Sequence, residues 1–259
     1  MLALKLALVC AIVLAASFAA KRFGHGVAGT LSGMPLIAGS IMGFVLLQSS
    51  PGQARAISLA TLVAYPAMVS HMLVFAHAVR RLPWWGALLA ANAVFFALGG
   101  LLLWLHLPVV PACLLAALCP WAGLHLLPAH RRERTVLHIP PIELVLRVAA
   151  AAALAAAIMG GASVFPAAVS GLLLALPITG NVLPCFTRAR HGADATIELL
   201  AGFVRGMVGF GAFFVVLALA LPTLGAGLSY ATAWGVVLVV AWVLQRHRGT
   251  LTVPPVAPD

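Results

Sequence analysis

Acid is almost missing from this chain. Its 259 residues hold five Asp and Glu side chains: Glu133, Glu143, Asp194, Glu198 and Asp259. So few carboxylates are too few for most acid/base enzymes and for the oxygen cages that hold hard cations. Charge of either sign is also scarce, at 8% of residues, against about 25% in a soluble domain. Cysteine is limited to Cys10, Cys113, Cys119 and Cys185, scattered mostly within apolar runs and without a C-x-x-C pair. That pattern builds neither a zinc site nor a disulfide framework, and reads as buried free thiols. There is no phosphate-binding G-x-x-x-x-G-K-[ST], no H-E-x-x-H and no G-x-S-x-G. An enzyme, a metal centre and a bound cofactor are therefore not expected, and ATP-driven transport would need a separate subunit.

Hydrophobic residues, by contrast, make up 63% of the chain. No soluble core could hide so much apolar surface, so the solvent must be a lipid bilayer. A helix that crosses it needs roughly 20 apolar residues. Segments at about 2–20, 27–48, 57–79, 84–105, 108–127, 142–160, 163–186, 195–220 and 223–245 qualify. Polar breaks such as "SSPGQAR", "TRARHGAD" and "PTLGAG" separate them. Residues 107–111 could instead bend one long hairpin. The first segment resembles a secretory signal, with Lys5 before an apolar run and "SFAA" after it. Its counterpart in the second half of the chain favours a retained span.

The basic residues test this count. Placing every second loop on one face puts Lys21, Arg22, Arg80, Arg81, Arg131, Arg132, Arg134, Arg188, Arg190, Arg246 and Arg248 together, against Lys5 and Arg55 opposite. Eleven against two marks the first face as cytoplasmic, with the N-terminus outside and the C-terminus inside a bacterial-type inner membrane. The same spread over several loops argues against nucleic acid as a partner, since no basic patch is interleaved with aromatics.

A shift of about 140 residues lays "PGQARAISLATLVAYPAMV" on "HGADATIELLAGFVRGMVG", with Pro66 on Gly206. Upstream, "LSGMPLIAGSI" resembles "VSGLLLALPITGNV". Helices one to four then pair with six to nine, and helix five is left as a connector. An odd offset inverts the second copy in the membrane, a layout expected of secondary transporters. The expected fold is thus an all-α polytopic membrane protein. A first repeat covers 1–106, a linker helix and basic loop 107–141, an inverted second repeat 142–245, and a tail 246–259.

The most telling stretch is "GVAGTLSGMPLIAGSIM", apolar enough for lipid yet broken by glycine and proline. Pro35 removes a backbone donor, while Gly33 and Gly39 relax the backbone. Freed peptide groups survive at membrane depth only inside the protein or beside a watery cavity. The same holds for Pro177, Gly180 and Pro184 in the second copy. Two broken helices should therefore meet at a midplane site, with Ser40, Thr179 and Asn181 supplying polar groups. The competing explanation is close packing, since Gly29, Gly33, Gly202 and Gly206 fit small-residue helix contacts.

Arg205 lies about ten residues into helix eight, roughly 15 Å deep at 1.5 Å per residue, and is a candidate for solute binding or gating. Glu198 stands two turns earlier on the same face and could neutralise it. Glu143 and Arg147 are four apart and read as a stabilising pair, or as a proton-linked element. His71 could couple proton movement to transport, or be an ordinary core residue. The expected activity is secondary active transport of a small anionic or zwitterionic organic solute, coupled to H+ or Na+, with a homo-oligomer left open. The rivals are a lipid-handling flippase or membrane-embedded transferase, and a non-transporting subunit of a membrane complex.

Overall fold

The computed structural model describes residues 2–130, 141–162 and 165–246. Glu133, Arg131, Arg132, Arg134, Arg248 and the side chain of Glu143 lie outside the described residues. Every regular element described is a helix: α1 (Leu2–Phe23), α2 (His25–Gly33), α3 (Leu36–Gln48), α4 (Pro51–Ala78), α5 (Trp84–Trp104), α6 (Val109–Leu126), α7 (Pro141–Ala162), α8 (Ala167–Ala175) and α9 (Ile178–Arg246). Six stretches among the described residues are long and apolar enough to cross a membrane, which fits a multi-pass membrane protein.

Six differs from the nine spans counted in the sequence, and α9 accounts for most of the difference. Its residues include "TRARHGAD" and "PTLGAG", the two stretches that composition marked as breaks, and the helical path is interrupted inside each of them. A straight helix of its 69 residues would be about 100 Å long, three times the roughly 30 Å of a hydrocarbon core. It bends instead at Gly192 (φ 83°) and Gly225 (φ 70°), in a backbone region that only glycine enters freely. The charged side chains of "TRARHGAD" find partners on either side of the kink. Arg188 Nε donates to the Val79 carbonyl at the end of α4 (3.0 Å), and Asp194 stands 3.9 Å from Arg80. Arg80 also donates to the Ala129 carbonyl.

Helix three likewise begins earlier than composition implied. Ser50 caps α4 by accepting from the Gln53 amide at 3.2 Å, and Pro51 fills the first helical position, where no N–H is needed. "SSPGQAR" is thus a helix start, and Arg55 lies inside α4 with its Nε 3.4 Å from the Ala218 carbonyl. Helices α5 and α6 are separate, parted at His106 (φ 49°) and Pro108.

The two expected helix breaks are present, and one rule makes both. A residue before proline is pushed out of the helical region. Met34 before Pro35 is extended (φ −70°, ψ 158°), as is Leu176 before Pro177 (φ −64°, ψ 121°). Each proline then opens a new helix, α3 or α9.

Close helix contacts hold the bundle around these breaks. A side chain on Gly29 or Gly33 of α2 would strike the Leu199 or Phe203 carbonyl of α9, and one on Gly202 or Gly206 would strike α2 in return. Such mutual small-residue contact lets dispersion act over the whole crossing where lipid supplies no hydrophobic drive. Helix α8 meets α4 in the same manner, with Gly171 on Ala60 and Thr61. At the centre Tyr65 of α4 donates to the Met207 carbonyl of α9 at 2.6 Å and stacks on Phe210. Leu89, Leu101, Leu114, Leu118 and Leu238 face outward, with Trp84, Trp85 and Trp104 exposed at the ends of α5. Such an apolar exterior, with tryptophans towards helix ends, suits lipid.

Candidate functional site

The breaks at Pro35 and Pro177 come together. Thr179, in the first turn of α9, donates to the carbonyl of Ser32, in the last turn of α2, at 3.3 Å. Between them lies a cavity of about 90 Å³. It is bordered by both breaks (Met34; Leu176 and Pro177) and by the first turns of α3 (Leu36, Ile37, Ala38) and α9 (Ile178, Thr179). Its polar lining residues are few: Ser32, Ser170 and Thr179. Elsewhere the wall is Ile12, Ile41, Ile57, Met68, Phe203 and Phe210. None of the described side chains lining it carries a charge.

Peptide groups freed by the kinks are partly rejoined. The Pro177 carbonyl accepts from the Asn181 amide N–H (2.8 Å) and from Asn181 Nδ2 (3.0 Å). The Asn181 oxygen in turn accepts from Asn92 Nδ2 of α5 at 2.7 Å. Asn181 thus braces the second break and is not among the residues lining the cavity. The Ser32 hydroxyl is buried and has no hydrogen-bond partner among the described residues.

The remaining candidates lie elsewhere. Gly33 is buried in the α2–α9 crossing, so at that position close packing and the nearby break operate together. Gly39 and Ser40 sit one turn into α3 and face the last arm of α9. The Gly39 carbonyl accepts from Tyr230 Oη at 3.2 Å, and Ser40 bonds back to the Leu36 carbonyl at 2.8 Å. Ser40 opens onto a second, lateral groove with Gly43, Phe44 and Tyr230. Gly180 packs on Met72 and Pro177. His71 is fully buried on α4 between Phe75 and Phe95, facing the backbone of Ala91 and Gly180 without hydrogen bonds of ordinary geometry.

Arg205 and Glu198 are not in the cavity. A Cβ placed on Gly26 would stand 3.3 Å from Glu198 Oε1 and 3.9 Å from Arg205 Nη1, so the two side chains converge over the first turn of α2. Arg147 is 2% exposed and covers the Phe186 ring at 5.6 Å. The His25 ring lies 5.1 Å from that of His191. These groups gather at the end of the bundle where α2 starts and α9 bends at Gly192.

Sequence reading missed Ser32, Asn92, Tyr65 and His25. Asn92 had a usable signal, a lone amide inside the apolar run "ALLAANAVFFAL". Ser32 stood beside Gly33 in the broken stretch. Tyr65 and His25 gave no signal separable from core packing.

Comparison with protein families, with curated proteins and with solved structures gives no match. The site must be interpreted from its own geometry.

Proposed function

We propose that the chain is a secondary transporter of a small organic solute, working by alternating access at the cavity between the Pro35 and Pro177 breaks. One observation carries this reading: both breaks border the same cavity and are tied by the Thr179–Ser32 bond. Broken helices that meet around a pocket place dipole ends and irregular backbone where a solute can use them.

The proposal includes nine spans arranged as two inverted repeats, with the bends at Gly192 and Gly225 marking returns of the chain through the membrane. Cross-packing supports it, since α2 seats on α9 through Gly29 and Gly33 while α8 seats on α4 through Gly171. So does a matched pair of side-chain contacts. Tyr230 reaches Gly39, four residues after Pro35, and Asn92 reaches Asn181, four residues after Pro177. The proposal sets the N-terminus outside and the C-terminus in the cytoplasm of a bacterial-type inner membrane, supported by the spread of basic residues along the sequence. Movement of one repeat against the other would then expose the cavity to each side in turn. H+ or Na+ coupling enters the same scheme, with His71 beside the second break as the proton-linked candidate.

A second reading, lipid handling, has its own support. The lateral groove of about 460 Å³ along α3 and the last arm of α9 is lined by Leu8, Leu46, Leu47 and Phe44 and opens beside Leu47, which is 81% exposed. Reconstitution separates the two. Proteoliposomes loaded with a panel of labelled small organic acids and amino acids should show counterflow that Thr179→Val reduces. Scrambling of labelled phospholipid with no solute counterflow would replace transport by the lipid reading.

A further inference from the structure

We propose that α3 is the outer gate of the cavity, and that it opens by swinging its far half into the lateral groove beside the last arm of α9. This rests on the transport reading for its purpose and adds the element that moves. The cavity between the breaks is about 90 Å³. A cavity of about 150 Å³ is what takes benzene. A solute of that size or larger therefore enters only if a wall withdraws.

The walls differ in how firmly they are held. Helix α2 is locked on α9 through Gly29 and Gly33, and α8 on α4 through Gly171, each at contact with the partner's backbone. Helix α1 borders the cavity through Ile12 alone among the described residues. In the first arm of α9, every residue from Ile178 to Pro184 is buried. Helix α3 is the counterpart of that arm in the proposed repeat, yet it buries only Ala38, Gly39 and Met42. Its glycines, Gly39 and Gly43, approach the side chains of Trp234 and Tyr230, not backbone. Both its ends adjoin extended residues, Met34 and Ser49. Such joints absorb a change of dihedral angle, so the helix can tilt as a unit with its own hydrogen bonds intact.

Room for the tilt lies on the side away from the cavity. Ile37, Ala38, Ile41 and Val45 border the cavity, whereas Ser40, Gly43, Phe44 and Leu47 line the groove of about 460 Å³. At 3.6 residues per turn the two sets centre roughly 130° apart, so α3 is a partition between two hollows. The groove's other wall is Leu8 of α1 with Ala226, Gly227 and Tyr230 of α9. In a bilayer lipid chains fill it, and a liquid yields more readily than a close-packed protein neighbour. Tyr230 holds the Gly39 carbonyl near the Pro35 end, which leaves the Gln48 end the longer swing. Moving that end towards Ala226 and Gly227 draws Ile41 and Val45 out of the cavity wall. In the proposed orientation the Gln48 end lies towards the outside, so the cavity opens outward.

Filling the groove tests this. A Cβ on Gly227 has nothing within 4 Å, so Gly227→Leu should fold as the parent does. Ala226→Leu fills the same groove as a second variant. Gly235→Leu, also with nothing within 4 Å but outside the groove, is the control. Gln48→Cys and Leu228→Cys, both at exposed positions, carry spin labels in the full chain in nanodiscs, with the four native cysteines replaced by alanine. The parent should show two label-to-label distances, the shorter from the open gate. Gly227→Leu and Ala226→Leu should leave only the longer, and Gly235→Leu should keep both. One distance in every protein, or two that survive both groove-filling variants, would overturn the inference. Counterflow in proteoliposomes keeps the gate and the transport reading apart. The groove-filling variants should slow it about tenfold or more, and Gly235→Leu should not. Two distances with no counterflow in the parent keep the gate and remove transport. Counterflow that both groove-filling variants leave unchanged keeps transport and removes the gate.

Discussion

Two regions of this molecule treat polarity in opposite ways. At the end of the bundle where α2 begins, Arg147, Glu198, Arg205, His25 and His191 crowd together, and Arg80 pairs nearby with Asp194. At the breaks no side chain among the described residues is charged, and the polar groups are hydroxyls, an asparagine pair and helix ends. The difference follows from the cost of charge in hydrocarbon. Ionised groups collect where water and headgroups can share them, whereas the centre uses dipoles that are part of the backbone. Arg205 shows this in one residue. Counted along the helix its Cα is deep, but its long side chain turns back one to two turns towards Glu198 and Gly26. Helix depth alone therefore misplaces the charge.

Substitutions can break or sharpen this contrast. The largest effect is expected from Gly33→Leu, which drives a side chain into the Phe203 carbonyl and should cost about 3 kcal/mol or more. It should appear as loss of monodisperse protein in detergent. Gly100→Leu, where nothing lies within 4 Å, should stay within about 0.5 kcal/mol of wild type. A smaller effect is expected at the charged end. Glu198→Gln should lower stability by about 1–2 kcal/mol, discounted because both groups are partly exposed. Adding Arg205→Gln should recover part of the loss, with a coupling of at least about 0.5 kcal/mol in a double-mutant cycle. Strict additivity would show that the two side chains converge without interacting. The smallest effects should come from Asn92→Ala and Tyr230→Phe, each about 0.6 kcal/mol, the usual value of one interhelical bond in a membrane protein. Similar losses would fit the matched roles proposed for the two contacts. A negligible effect at one and a large one at the other would weaken the repeat.

Much of the centre was legible in the sequence because proline acts locally. Pro35 and Pro177 dictate the conformation of the residue before them whatever surrounds it, so both breaks could be placed. The charge-poor chain and its long apolar runs made the membrane equally plain. Polarity marked where the breaks fall but not where the helices start. "SSPGQAR" looks like a loop, but Ser50 and Pro51 begin a helix there, and "TRARHGAD" confines its break to a kink at Gly192 while Arg188 finds a carbonyl on another helix. Helix ends depend on caps and positive-φ glycines more than on charge, and Gly192 was one glycine among 24. In the sequence, Ser40 and Asn181 stand as equivalent polar groups at the site. Only the fold shows that one turns to a lateral groove while the other braces Pro177 through a bond to Asn92, 89 positions away. Contacts of that range leave no periodic trace in a single chain.

The central claim is that the two breaks face one cavity that each side of the membrane can reach in turn. Cysteine accessibility at its wall tests this most directly. The half-buried Cys10, Cys113, Cys119 and Cys185 are first replaced by alanine, and Ser32→Cys is then labelled in oriented vesicles with a membrane-impermeant thiol reagent. The account predicts labelling from both sides and protection by bound solute. No labelling from either side, or labelling from one side only under every gradient imposed, would contradict it.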